Sequence, residues 1–145
     1  MLELIIISTL NSILFGMLLF LMASGLTVIF SMLGVLNFAH ASFYMLGAFF
    51  GFQISRWFGF WPALLIAPIL AGLIGAAVER YGLRRVHRNG HVAELLFTFG
   101  LAFAIEEVVQ IIWGKSPVDF RVPPLLDFPA FTIFSTNYPA YKMFM

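Results

Sequence analysis

From Leu4 to Ser55 the chain runs for 52 residues without one Asp, Glu, Lys or Arg. A soluble helix of that length needs a polar stripe for water, whereas a bilayer needs about 20 apolar residues per crossing. The run therefore fits two membrane segments. Composition agrees: 61% of residues are hydrophobic and 10% charged, against about 25% charged in a typical soluble domain. The net charge of +1 supplies no basic stripe for a nucleic-acid partner outside one short loop. With no cysteine, disulfides, thiolate zinc sites and a cysteine nucleophile are excluded. A cleaved signal peptide is not expected either, because the first basic residue is Arg56 and such peptides open on a basic region.

The pattern predicts an all-α membrane protein, a polytopic bundle with about four spans. Residues 4–30 form the first. Residues 31–56 form the second, as one tilted helix or as an irregular piece through about His40 followed by a short helix. Residues 57–78 form the third, 22 residues without a charge and about 33 Å long as a helix; Trp57 and Trp61 suit a headgroup interface. A loop over 79–92 carries Arg80, Arg84, Arg85 and Arg88. It is the densest basic cluster and is expected to be cytoplasmic. Residues 93–113 form the fourth span, with Glu94 in its first turn, where negative charge suits the helix dipole. Residues 114–145 hold Pro117, Pro123, Pro124, Pro129 and Pro139 and read as an extracytoplasmic connection into a further, truncated span.

Few polar residues interrupt these segments. Asn37 and His40 are three apart, hence on one face if their segment is helical. Two readings stay open for them: a structural hydrogen-bonding pair, or part of a water-filled substrate pathway. One His and one Asn fall short of a metal ligand set. Gly47 and Gly51 have a small-xxx-small spacing that favours close helix packing, as do Ala71 with Gly75, around Gly72, and Gly100 with Ala104. Glycines that interrupt a membrane segment also point to transport sites, because unwound backbone is tolerated where it lines a cavity. Glu106 and Glu107 are costly in hydrocarbon and are expected off-centre, paired, or facing the same pathway. Without a nucleophile, a metal motif or an oriented His they do not make an enzyme site. "GKS" at 114–116 lacks the first Gly of a phosphate loop, since position 109 is Val109. No ATP site is expected in this chain.

"GLTVIFSMLGVLNFAHASFYMLGAFF", "VERYGLRR" and "LLFTFGLAFAIEEVVQIIWGKSP" resemble the amino-terminal part of the bacterial branched-chain amino acid ABC transporter permeases. The resemblance covers nearly the whole chain. It implies an inner-membrane subunit paired with a second related permease, two cytoplasmic ATPase subunits that carry the ATP and Mg, a periplasmic substrate-binding protein and membrane lipid. It also places Asn37, Phe38, Ala39 and His40 near the translocation route, with Ala41 where relatives commonly have Gly. Members of the family are longer, so the chain is expected to be an incomplete permease domain. A permease for urea or short amides, and a non-transporting membrane scaffold, remain as alternatives.

The expected topology is checked by cysteines introduced at Asn89 and Ser116. They should react with impermeant reagents from opposite sides of the membrane; labelling from one side excludes the four-crossing arrangement.

Overall fold

The computed structural model describes residues 2–116, 118, 123–133 and 136–144. Pro117, in the expected connection, lies outside the described residues. The chain divides into two compact units, residues 1–23 with 120–145, and residues 24–119.

In the first unit, residues up to Ala23 belong to the long helix α1 (Leu2–Leu33). Thr9 and Ser12 donate their hydroxyls to the carbonyls of Ile5 and Ser8 at 2.7 Å. Such bonds satisfy a hydroxyl within its own helix and let it enter lipid. The remainder of this unit holds a short antiparallel hairpin, β1 (Pro129–Ile133) with β2 (Thr136–Pro139), followed by the single turn α6 (Ala140–Phe144). The hairpin is a strand element within a segment expected to be irregular. Ala140 N–H donates to Phe128 O at 2.9 Å, and Lys142 Nζ donates to Asn11 Oδ1 at 3.0 Å.

The second unit takes the last ten residues of α1, then α2 (His40–Phe58), α3 (Phe60–Val78) and α5 (His91–Trp113). Residues 79–89, expected as a loop, instead continue α3 helically. A π-helical turn (Glu79–Leu83) leads into the turn α4 (Arg84–Val86) and a 3-10 turn (His87–Asn89). The π turn brings residues five apart into register: Arg84 N–H bonds Glu79 O, and Arg84 Nε lies 2.9 Å from Glu79 Oε1. A Cβ on Gly82 would come within 3.0 Å of Phe97 Cε1, so only a glycine there leaves room for the ring from α5. The helical continuation stops at Gly90, whose φ of 90° is readily adopted only by glycine.

Among the described residues, three stretches are long and apolar enough to cross a membrane: Leu4–Met32, Phe60–Asn89 and His91–Trp113. Of the two readings of residues 31–56, the chain follows the broken one, an irregular piece and then a helix. α1 runs to Leu33, residues 34–39 are not helical, and α2 begins at His40. α2 and α3 form an antiparallel hairpin about Gly59. A Cβ on Gly47 would sit 3.7 Å from Ala71 Cβ, and one on Gly51 would sit 3.9 Å from Ala67 Cβ. Glycine opposite alanine lets the two backbones approach closely. Gly72, Gly75 and Gly100, expected to pack likewise, meet no atom within 4 Å at a built Cβ. They contribute no close approach among the described residues.

The packing is inside-out relative to a soluble protein. α3 turns Ala63 and Ala67 inward, while Leu65, Ile69 and Leu73 are 69%, 60% and 62% exposed. α5 buries Glu94 and Thr98 yet leaves Ile111 80% exposed. Large aliphatic side chains outside and small or polar ones inside suit a lipid surround. α5 packs along α2 in the same direction: Ile105 and Val109 cluster with Leu46, and Trp113 Nε1 donates to Gln53 Oε1 at 3.1 Å.

Leu at Gly47 or Gly51 should therefore force α2 from α3, costing about 1–3 kcal/mol as overpacking does. Thermal unfolding in detergent should show both variants destabilised and Gly72→Leu unchanged.

Candidate functional site

The break between α1 and α2 begins at Gly34. Its N–H bonds Phe30 O at 2.8 Å and its φ is 67°, the left-handed conformation that commonly closes a helix. The chain then turns on Asn37. Its Oδ1 accepts Ala39 N–H at 3.0 Å, and its carbonyl accepts His40 N–H at 3.1 Å. This is an Asn side chain imitating a backbone turn, and it starts α2. Asn37 and His40 thus do not share a helix face: Asn37 stands before the helix and His40 is its first residue.

His40 reaches back to α1. A Cβ on Gly25 would lie 3.2 Å from both Cε1 and Nε2 of the imidazole, so the bare backbone of Gly25 seats the ring. Gly25 is eight residues before the end of α1, which is about 12 Å of helix. Residues 34–39 must run back over that distance, and α2 begins beside Gly25 rather than level with the end of α1.

The break is covered by α5. Val35 and Ala39 are 3% and 0% exposed. The Thr98 hydroxyl, fully buried, lies 3.2 Å from Leu95 O and 3.5 Å from Leu36 O. The hydroxyl donates, and its one proton is shared between the two carbonyls, so the longer contact to Leu36 O ties α5 to the break. Phe38 meets Phe99 edge-on at 6.3 Å, and Phe99 meets Phe103 at 5.0 Å. An aromatic row therefore lies beside the turn.

One turn before Thr98, Glu94 is 1% exposed. Its Oε1 contacts His87 Nδ1, and its Oε2 lies 3.2 Å from His91 Nδ1. Both imidazoles are largely exposed. The carboxylate thus ties the 3-10 turn to the first turn of α5 across Gly90, at the positive end of the helix dipole. No three His, Cys, Asp or Glu among the described residues are arranged to hold a metal.

Glu106 and Glu107 do not join this site. Both are exposed, and Glu106 Oε1 accepts Gln110 Nε2 at 3.2 Å. Glu106 stands eight residues beyond Thr98, about 12 Å along α5. Arg80, Arg84, Arg85 and Arg88 are exposed on the helical extension of α3. Sequence reasoning left out Gly25 and Thr98 and gave Glu94 only its dipole. The four-residue spacing of Glu94 and Thr98 within an apolar helix was the available signal; nothing in the sequence singles out Gly25.

A family model described as the branched-chain amino acid transport system / permease component matches residues 8–138. The chain is 26% identical over 117 residues to the high-affinity branched-chain amino acid transport system permease protein LivH of Salmonella typhimurium, and 25% identical over 117 residues to LivH of Escherichia coli K12. It is 23% identical over 116 residues to the permease protein BraD of Pseudomonas aeruginosa. These alignments cover 73–74% of the chain but 37% of each relative's length. No solved structure matches.

Removing the buried carboxylate with Glu94→Ala should destabilise the protein by about 1–3 kcal/mol, the cost of losing a hydrogen-bonded buried group. Glu106→Ala and Glu107→Ala should leave thermal unfolding unchanged. Equal effects at all three positions would contradict the placement of Glu94 in the core.

Proposed function

The chain belongs to the family of branched-chain amino acid transport permease components, and from that premise we propose that it is part of the permease subunit of an ABC importer for branched-chain amino acids. It is a multi-pass membrane protein, and the reading places it in the bacterial inner membrane. A second related permease, two ATPase subunits that carry ATP and Mg, and a periplasmic binding protein complete the proposed assembly. In that reading α2 is a fourth crossing, residues 79–92 are cytoplasmic and residues 114–145 are extracytoplasmic.

The observation that carries the proposal is the discontinuity at Gly34–Ala39, after which α2 starts beside Gly25, eight residues back along α1. A helix N-terminus within the membrane presents unpaired N–H groups and positive potential, which suit a substrate carboxylate. Asn37 and His40 flank that end, and the exposed edges of Phe38, Phe99 and Phe103 offer an apolar surface beside it. A carboxylate next to an aliphatic side chain is the chemistry of leucine, isoleucine and valine. Urea has neither group. Glu106 and Glu107, exposed farther along α5, are proposed as solvated vestibule residues outside this contact.

Uptake of labelled leucine should depend on the gene in cells carrying its complete transport cluster, with competition by isoleucine and valine but not by urea. His40→Ala should keep complex yield within about twofold while uptake falls by about tenfold or more. Asn37→Ala should lose stability as well, by about 1 kcal/mol, because the Ala39 N–H loses its acceptor. Loss of yield in step with uptake for His40→Ala would return the imidazole to a purely structural role, and gene-dependent uptake of urea alone would overturn the substrate.

A further inference from the structure

The helical extension of α3 carries a cluster of positive charge spread over about 12 Å of helix. Arg80, Arg84, Arg85 and Arg88 are all exposed. The two carboxylates of this corner are already engaged, Glu79 by Arg84 and Glu94 by His87 and His91. Among the described residues no carboxylate pairs with Arg80, Arg85 or Arg88. The Arg80 guanidinium instead lies over the ring of Tyr81, 5.8 Å from its centroid, and that ring is 63% exposed.

The position of the cluster identifies what it meets. α3 has 19 residues, about 28 Å of helix, close to the thickness of a hydrocarbon core. Arg80 is the second residue past its end and stands seven residues after Leu73, which returns it to the same helix face. That face carries Leu65, Ile69 and Leu73, all more than half exposed. Where α3 spans a bilayer, this exposed apolar stripe ends in a guanidinium at headgroup level, with an amphipathic tyrosine ring beside it. The Glu94 carboxylate, held by both imidazoles across Gly90, fixes the turn that displays Arg88.

We propose that Arg80, Arg85 and Arg88, with Tyr81, form a binding site for the headgroups of anionic phospholipids at the membrane surface where α3 ends. Each planar guanidinium can grip phosphate oxygens in a two-point contact, and the exposed apolar stripe of α3 receives the acyl chains of the same lipid. The site requires that α3 spans the bilayer and is independent of the transported substrate.

The test uses the full chain in detergent, titrated with phosphatidylglycerol, with phosphatidylcholine as the neutral control and with inorganic phosphate, and bound lipid is counted by native mass spectrometry. Phosphatidylglycerol should be retained in preference to phosphatidylcholine, and the preference should weaken as salt is raised. At about fivefold per guanidinium near an anionic surface, the combined Arg80→Gln, Arg85→Gln and Arg88→Gln variant should lose on the order of a hundredfold of it. Replacing the same three residues with Lys should keep part of the preference, since the charge stays and the two-point grip is lost, and unchanged thermal unfolding of the Gln variant shows that its loss is not unfolding. Lys115→Gln, at the other end of α5, should change nothing. Equal retention of the two lipids, an undiminished preference in the Gln variant, or inorganic phosphate displacing lipid at equal concentration would overturn the proposal. So would protection of the three arginines by an acidic partner protein with no lipid preference.

Discussion

A backbone amide or carbonyl in hydrocarbon has no water to turn to, and the arrangement of this protein follows from that. Residues 34–39 leave the helical ladder between two apolar helices, and protein groups meet several of their polar atoms. Asn37 closes the turn with its own side chain, its carbonyl takes the first amide of α2, and α5 brings Thr98 beside the carbonyl of Leu36. α5 lies over the break, where Val35 and Ala39 are buried.

The covering helices come close because they carry little bulk where they touch. Gly47 and Gly51 face Ala71 and Ala67, Gly25 receives the His40 ring, and Gly82 receives Phe97. In water the same helices would gain from burying leucine and isoleucine against each other. In lipid that gain vanishes, because acyl chains are as apolar as the side chains, and association rests on close packing and on polar contacts. Large residues such as Leu65, Ile69, Leu73 and Ile111 turn outward for that reason, while polar contacts at Glu94, Thr98 and the Trp113–Gln53 bond lie inside with a small apolar cluster of Leu46, Ile105 and Val109.

Glu94 shows how one charge can organise a corner. Gly90 sends the chain from the extension of α3 into α5, and a glycine corner by itself is loose. The buried carboxylate spans it, touching an imidazole on either side. The arginines around the corner stay outside, so anchoring charge and displayed charge are separated within fifteen residues.

Much of this was legible in the sequence. The charge-free run to Ser55, the apolar stretches after Trp57 and His91 and the glycines of α2 determined a helical membrane chain, because hydropathy reports the solvent of a segment whatever its neighbours are. The motif around Asn37 and His40 determined the family resemblance. What the sequence left open was whether residues 31–56 form one helix or a broken one, since Gly34 is tolerated by both and only α5 lying over Leu36 decides between them. It also placed weight on Glu106 and Glu107, which lie exposed, and little on Glu94 and Thr98, which are buried. Residue type sets the cost of burying a carboxylate. Which carboxylate finds two imidazoles to meet that cost depends on a corner built from residues on both sides of Gly90, and only the tertiary structure brings those together.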